Sequence, residues 1–298
     1  MADLTAFAPA KINLSLAISG RRDDGYHLMD SLVIFADLSD QITSNFANED
    51  TLSVSGPFAE KLKNSTADEN IIMQAVRAYR LETGWKQPFA ISLIKNIPVA
   101  AGIGGGSSNA AATLRALNTA CPTPLSEEKL HELGLGLGAD VPVCLKSYDH
   151  HLWRMRGIGE KLDHLDYPAS SSLGLILLNP GVSVPTGAIF QSLRTSITLD
   201  GFQKENPHPH KLDDDTFRVW LDDGNSLTAP ALSLHQKIEE ALRLLSALSD
   251  RRGFITSGMS GSGATVFALF QSKALAMEAA QSLETSFWFW AGGIFNAE

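Results

Sequence analysis

Residues 97–118, IPVAAGIGGGSSNAAATLRALN, constrain the fold of this chain more than any other stretch. Glycines at 102, 104, 105 and 106 stand directly ahead of Ser107, Ser108, Asn109 and an alanine-rich run. A glycine-rich turn that feeds a helix gathers backbone N–H groups at the positive end of the helix dipole, an arrangement that holds phosphate. Upstream, FAISLIKNIP reads as a strand leading into the turn; downstream, the pattern is helical from Ser107 to Ala120 and stops before Pro122. The same residues also suit a plain loop with a good helix N-cap. The GK[ST] ending of the common nucleotide-binding P-loop is missing, so the loop supplies dipoles and hydroxyls but no formal charge. A cation has to come from Mg²⁺ or from a lysine distant in sequence.

With 298 residues, 44% of them hydrophobic and 19% charged, the chain is long enough for one large or two ordinary domains. Its net charge of −9 argues against a nucleic-acid or anionic-membrane partner, which would call for a basic face. An anionic small ligand remains compatible, because local lysines and helix ends outweigh a distant acidic surface. Cys121 and Cys144 show neither CxxC spacing nor a His/Cys cluster, which fits two buried or inert thiols in a reducing cytoplasm. The start, MADLTAFAPAKINL, has no basic region followed by a long apolar core, and no apolar run approaches the length of a membrane span. A cytoplasmic protein, monomeric or weakly homodimeric, is expected.

The N-terminal stretch TAFAPAKINLSLAISG reads as a strand pair or a bent strand, with Pro9 interrupting the ladder and Gly20 ending it. SLVIFADL is a strand, and DENIIMQAVRAYRLETG a helix with Gly84 as its stop. SEEKLHELG is a short helix with Ser126 as N-cap candidate. The second half runs strand (LGLILLNPG), helix (LHQKIEEALRLLSALSD), two strands around GMSGSGA, helix (SKALAMEAAQSLETS), strand (FWFWAGGIF). That β-α-β-β-α-β order is ferredoxin-like, with a polar loop or excursion expected from about 200 to 225. A boundary falls near 160–170, dividing the chain into 1–165 and 166–298.

Several single residues carry chemistry with two readings each. Lys11, in PAKINL, is either a solvent-facing strand lysine or an inward lysine that needs an acid. Asp140, in GADVPVC ahead of an expected apolar strand, is either a buried helix N-cap or a catalytic carboxylate. Tyr26 and His27, in DDGYHLM, can grip a planar base by stacking and hydrogen bonding, or simply follow a turn. His208 and His210 match no standard metal-site spacing and read as a solvated loop. GMSGSGA alone reads as a hairpin or bulge.

Taken in order, PAKINLSL, DDGYH, ENII, KNIPVAAGIGGGSSNAA, GADVPV, GIGE, LNPGVSVPTGAIF and GMSGSGATVFALF resemble one family, the GHMP kinases, from residue 9 to 270. PAKINL followed by DGYH resembles the branch that phosphorylates a cytidine diphosphate derivative of methylerythritol. The resemblance implies an α+β, two-domain GHMP kinase fold: an N-terminal ribosomal-protein-like α/β nucleotide domain and a C-terminal ferredoxin-like domain, with the active site in the cleft. It implies ATP as phosphoryl donor, Mg²⁺, and phosphorylation of a 2-hydroxyl for non-mevalonate isoprenoid synthesis. By motif position Lys11 and Asp140 are catalytic. ATP contacts fall on Asn70, Lys95, Pro98, Val99, Ala100, Ala101, Gly102, Ile103, Gly104, Gly105, Gly106, Ser107 and Ser108, with the Ser107 or Ser108 hydroxyl as a candidate Mg²⁺ ligand. Asn13, Tyr26, His27, Thr186 and Phe190 match the substrate pocket. A homoserine or mevalonate-type kinase, and a non-catalytic GHMP-fold binding protein, are the competing readings; DGYH opposes the first, and the presence of both Lys11 and Asp140 opposes the second.

Two positions depart from the family pattern. Ala100 and Ala101 stand where the family carries glycines, and a left-handed alanine costs about 1–2 kcal/mol. The essential turn is therefore expected at Gly102 and Gly104–Gly106. GNSLTAPA replaces a family sequence that opens a helix, which weakens the expectation of a helix after Asn225.

Overall fold

The computed structural model describes residues 4–23, 25–63, 69–149, 151–189, 192 and 209–297. Two compact units emerge, and no single cut in the chain separates them. The first comprises residues 1–10, 38–99 and 104–147; the second comprises 11–37, 100–103 and 148–298. Two long strands, β1 (Leu4–Arg21) and β2 (His27–Phe46), supply residues to both. β1 runs unbroken through Pro9, contrary to the interruption expected there. It pairs with β2, and a strand with one partner can place the missing N–H of proline on its unpaired side.

In the first unit the end of β2 pairs antiparallel with β4 (Phe89–Ile94), from Gln41 opposite Ile94 to Phe46 opposite Phe89. β3 (Thr51–Ser55) adds to β4 in parallel. Asn70 caps α1 (Ile71–Thr83) by accepting from Ile72 N–H at 3.0 Å, and Gly84 ends it at φ +70°. Ile72, Met73, Ala75, Val76 and Tyr79 form its buried stripe, the helical spacing expected of a face against a core. α2 (Gly105–Ala120) starts two residues before the expected Ser107 and buries nine residues, mostly alanine and other small side chains. Tyr79 donates to Asn118 Oδ1 at 2.7 Å, tying α1 to α2. α3 (Glu127–Leu137) is capped by Ser126 as expected. The residues after Asp140 form a short helix, α4 (Val141–Leu145), not a strand; Pro142 at its second position needs no N–H partner in a first turn. Cys121 and Cys144 are both buried.

In the second unit the start of β2 pairs antiparallel with β5 (Leu152–Gly157), and β5 with β6 (Lys161–His164). Asp30 lies diagonally across from Arg154 and accepts from its Nε (2.8 Å) and Nη2 (2.5 Å) in a buried bidentate pair. The other sheet contains β7 (Gly174–Asn179), β8 (Phe254–Met259), β9 (Val266–Phe270) and β10 (Trp288–Gly293) in the order β10-β7-β9-β8, all antiparallel. That order is the ferredoxin-like arrangement expected for the second half. α5 (Asp214–Asp222) stands within the segment expected to be loop. Its Asp213–Thr216 capping box and buried Phe217, Trp220 and Leu221 explain why it forms. α6 (Thr228–Leu234) forms after Asn225 despite the altered sequence there. α7 (Gln236–Ser246) and α8 (Lys273–Ala280) bury Ile238, Ala241, Leu245, Ala276 and Ala279 in one core with Ile176, Leu178, Val266 and Phe270. Among the described residues no helix is long and apolar enough to cross a membrane.

Candidate active site

In the first unit, Gly104 holds the N-cap position of α2 at φ +66° and ψ +14° with no side chain capping the helix. The first-turn amides are thus not consumed by a cap, which is what an anion site at a helix start requires. Gly106 lies beside the start of α1, where an added Cβ would come 4.0 Å from Ile71 Cγ2. Asn70, the cap of α1, therefore shares this corner with the glycine turn. Ser108 is 1% exposed, and its hydroxyl donates to Pro9 C=O at 2.6 Å. Ser107 is half-buried and nearer to solvent.

Lys95 lies directly below the turn. It is 3% exposed and forms an ion pair with the fully buried Asp40. Burial pushes the Lys95 ammonium below its ordinary range, and the Asp40 charge opposes that shift. A Cβ on Gly105 would come 3.0 Å from Lys95 Nζ and 3.1 Å from Ile97 Cγ2, so a side chain there would press on both. Asp140 is half-buried at the N-cap position of α4, and its side chain does not cap that helix. Arg115 on α2 fixes α4 from its other end, donating to Cys144 C=O (2.7 Å) and Leu145 C=O (3.3 Å). Among the described residues no group of three His, Cys, Asp or Glu is placed to hold a metal ion.

In the second unit, Lys11 is 3% exposed, which removes the solvent-facing reading of this lysine. Its backbone N–H donates to Ile103 C=O at 3.0 Å, so the strand carrying Lys11 and Asn13 is joined to the glycine segment. Asn13 is 1% exposed; it donates to Ser31 Oγ at 2.7 Å, while its Oδ1 is buried with no hydrogen-bond partner among the described residues. A buried carbonyl oxygen left in that state suits a ligand donor.

The turn at 258–264, read from sequence as a plain hairpin, grips the same segment. Ser260 Oγ accepts from Asn13 N–H (3.1 Å) and lies 3.2 Å from Gly102 C=O, to which it donates. Thr265 N–H donates to Ala101 C=O at 3.1 Å. Gly102 sits at φ +74°, and a Cβ there would lie 2.2 Å from Gly263 C=O, so this glycine is required by both conformation and space. Ala100 also adopts a left-handed conformation, φ +55°, contrary to the expectation that the turn would fall on glycines alone. The hydrogen bonds from Thr265 to Ala101 and from Lys11 to Ile103 fix the residues that follow Ala100 and offset the strain. Gly105 and Gly106 are helical, so of the glycines expected to make the turn, Gly102 and Gly104 carry the positive φ.

Tyr26 is 61% exposed and His27 opens β2, half-buried. Thr186 Oγ1 lies 3.0 Å from Ser262 Oγ, which brings the VPTGAIF segment to the second glycine turn. Phe190 and His208 lie outside the described residues. Asn225 was not singled out in the sequence, yet its Nδ2 donates to Met259 C=O (2.7 Å) and Gly261 C=O (2.8 Å), buttressing that turn. Asp40 was missed as well. The signals were an acid on an apolar strand and an Asn one residue after a glycine, neither informative without a partner.

Comparison with known proteins decides the family. The GHMP kinases N terminal domain matches residues 70–148 and the GHMP kinases C terminal domain residues 211–288. A 4-diphosphocytidyl-2-C-methyl-D-erythritol kinase from Brucella melitensis is 42% identical over 294 residues, covering 96% of this chain and 93% of that protein. The chain belongs to this family of GHMP kinases. A crystal structure of a 4-(cytidine 5'-diphospho)-2C-methyl-D-erythritol kinase, 30% identical, superposes with a TM-score of 0.76 over 97% of this chain and 98% of that one. A homoserine kinase from Cytophaga hutchinsonii shares the fold at 16% identity, with a TM-score of 0.62 over 99% of this chain and 95% of that one. The kinase family thus extends over nearly the whole chain, from the PAKINL strand through both glycine turns.

Proposed function

We propose that the chain transfers the γ-phosphoryl group of ATP to the 2-hydroxyl of 4-diphosphocytidyl-2-C-methyl-D-erythritol, giving the 2-phosphate and ADP, as a cytoplasmic enzyme of non-mevalonate isoprenoid synthesis. The observation that carries this reading is the 42% identity to a kinase of that name across 96% of the chain, together with both PAKINL and DGYH in this sequence. Phosphoryl transfer asks for positioning and charge stabilisation more than covalent chemistry, and the residues divide along those lines. The amides of the first turn of α2 receive the ATP phosphates, in place of the missing P-loop lysine. Asp140 orients the 2-hydroxyl and takes its proton. Lys11 stabilises the developing alkoxide. Asn13 offers its unpaired Oδ1 as an acceptor to the substrate. Tyr26 and His27 hold the cytosine, one by its ring face and the other by hydrogen bonding, and Thr186 and Phe190 close the pocket.

Mg²⁺ fits here as an ion carried on ATP. Ser107 is the side chain that would reach it, because Ser108 is 1% exposed and Ser107 lies nearer to solvent. Bound there, it would neutralise charge on the β- and γ-phosphates. The test is an ADP-release assay with the cytidine diphosphate substrate, homoserine and mevalonate as acceptors. Turnover with the first alone is expected; equal or faster turnover with either of the others overturns the reading.

A further inference from the structure

Asp40, fully buried on β2, takes no part in the steps above. Its carboxylate nonetheless receives three donors: the Lys95 ammonium on Oδ2, and the N–H groups of Asn96 (2.7 Å) and Ile97 (2.8 Å) on Oδ1. A buried charge is costly unless it is paired and hydrogen-bonded in this way. The β2–β4 ladder ends with Gln41 opposite Ile94. Asp40 therefore takes over where strand pairing stops, and it grips the three residues that lead toward the glycine turn.

The same three residues are fixed from two other sides. Lys95 N–H donates to Ser55 C=O at 2.7 Å, and its C=O accepts from Phe58 N–H at 3.1 Å. Gly105, the first residue of α2, packs closely over Lys95 and Ile97, since a Cβ added there would meet Lys95 Nζ and Ile97 Cγ2. Lys95 through Ile97 thus form a platform, and the height of that platform sets where the first-turn amides of α2 lie.

We infer that Asp40 is a positioning residue for the nucleotide. Acting through Lys95 and the backbone of Asn96 and Ile97, it holds the helix start at which the ATP phosphates bind. This rests on the reading of that helix start as the ATP site. Lys95 is then a supporting cation beneath the turn, its ammonium engaged by Asp40.

Two variants test the inference: Asp40→Asn, which leaves Lys95 buried beside a neutral amide, and Asp40→Asn with Lys95→Met, which removes both charges. Calorimetric titration with Mg·ATP and, separately, with 4-diphosphocytidyl-2-C-methyl-D-erythritol is combined with the thermal midpoint of each protein without ligand. Asp40→Asn is expected to weaken ATP binding at least tenfold and the cytidine ligand less than twofold. The double variant is expected to recover the thermal midpoint but not the ATP affinity. ATP affinity within twofold of wild type in either variant overturns the inference, as does parallel weakening of both ligands. If the wild type binds ATP but not the cytidine ligand, the substrate assignment fails while the Asp40 comparison on ATP stands.

Discussion

At the scale of single residues, groups that resemble each other in sequence have separable effects. Asp140→Ala should lower kcat about 10²- to 10⁴-fold, the range for a lost general base, while Mg·ATP binding measured by calorimetry stays within twofold. Near-normal turnover would remove Asp140 from the reaction. Lys11→Ala should lower kcat about a hundred- to thousandfold, as loss of a charge-stabilising group does; an effect confined to KM would make Lys11 a binding residue only. The adjacent serines should part company. Ser107→Ala should raise the Mg²⁺ concentration needed for half-maximal rate and leave the thermal midpoint unchanged. Ser108→Ala, which strips a donor from Pro9 C=O, should cost about 1–3 kcal/mol of stability with no change in Mg²⁺ dependence. Residue identity carried part of this and burial carried the rest. Lys11 in PAKINL is as good a surface lysine as a buried one until its strand is placed, and the structure leaves it 3% exposed. Ser107 and Ser108 differ in no sequence property; they differ because one faces β1 across a packed helix start.

At the scale of elements, the glycine segment shows where local rules yield to their surroundings. Ala100 holds φ +55°, so Ala100→Gly should relieve about 1–2 kcal/mol of strain against about 0.4–1 kcal/mol of added unfolded-chain entropy. The thermal midpoint should hold or rise. Ala101 is 4% exposed without a positive φ, and Ala101→Gly should lower the midpoint by the equivalent of about 1 kcal/mol. The loop before β3 carries a pH-dependent contribution. Asp50 accepts from the Arg80 guanidinium and from Phe89 N–H at 2.9 Å, and Arg80 above all holds its carboxyl below the ordinary range despite partial burial. A carboxylate depressed in the folded state contributes stability above its unfolded pKa and loses it as pH falls through the folded value. Asp50→Asn should therefore destabilise at neutral pH, with the difference from wild type vanishing below the ordinary Asp range in an acid-unfolding series. Strongly periodic elements such as α1, with its Gly84 stop, were legible in the sequence, and so was the β-α-β-β-α-β order of the second half; the Asn70 cap of α1 was not. α5 was not, because the His, Pro and Asp residues before it mask an apolar stripe of Phe217, Trp220 and Leu221. The contact between the two glycine turns was not legible either, since it depends on a backbone approach at Gly102 so close that a Cβ would lie 2.2 Å from Gly263 C=O, which no spacing encodes.

At the scale of the whole molecule, the fold and the substrate are different claims. A homoserine kinase shares the fold with a TM-score of 0.62 at 16% identity, so architecture alone says only that this is a GHMP kinase fold. The substrate claim rests on identity across nearly the full chain and on Asn13, Tyr26 and His27, all of which lie in the second unit. His27→Ala should accordingly erode the preference for a cytidine over a uridine diphosphate substrate, read as the ratio of kcat/KM values, with ATP affinity unchanged. Phosphorus NMR of the product formed from Mg·ATP and 4-diphosphocytidyl-2-C-methyl-D-erythritol decides the position of phosphoryl transfer. Stoichiometric ADP and one new phosphate monoester with no vicinal proton coupling are expected, because the 2-carbon carries the methyl group and no hydrogen. A new monoester split by a carbinol proton, or ADP formed without any new monoester, would contradict transfer to the 2-hydroxyl.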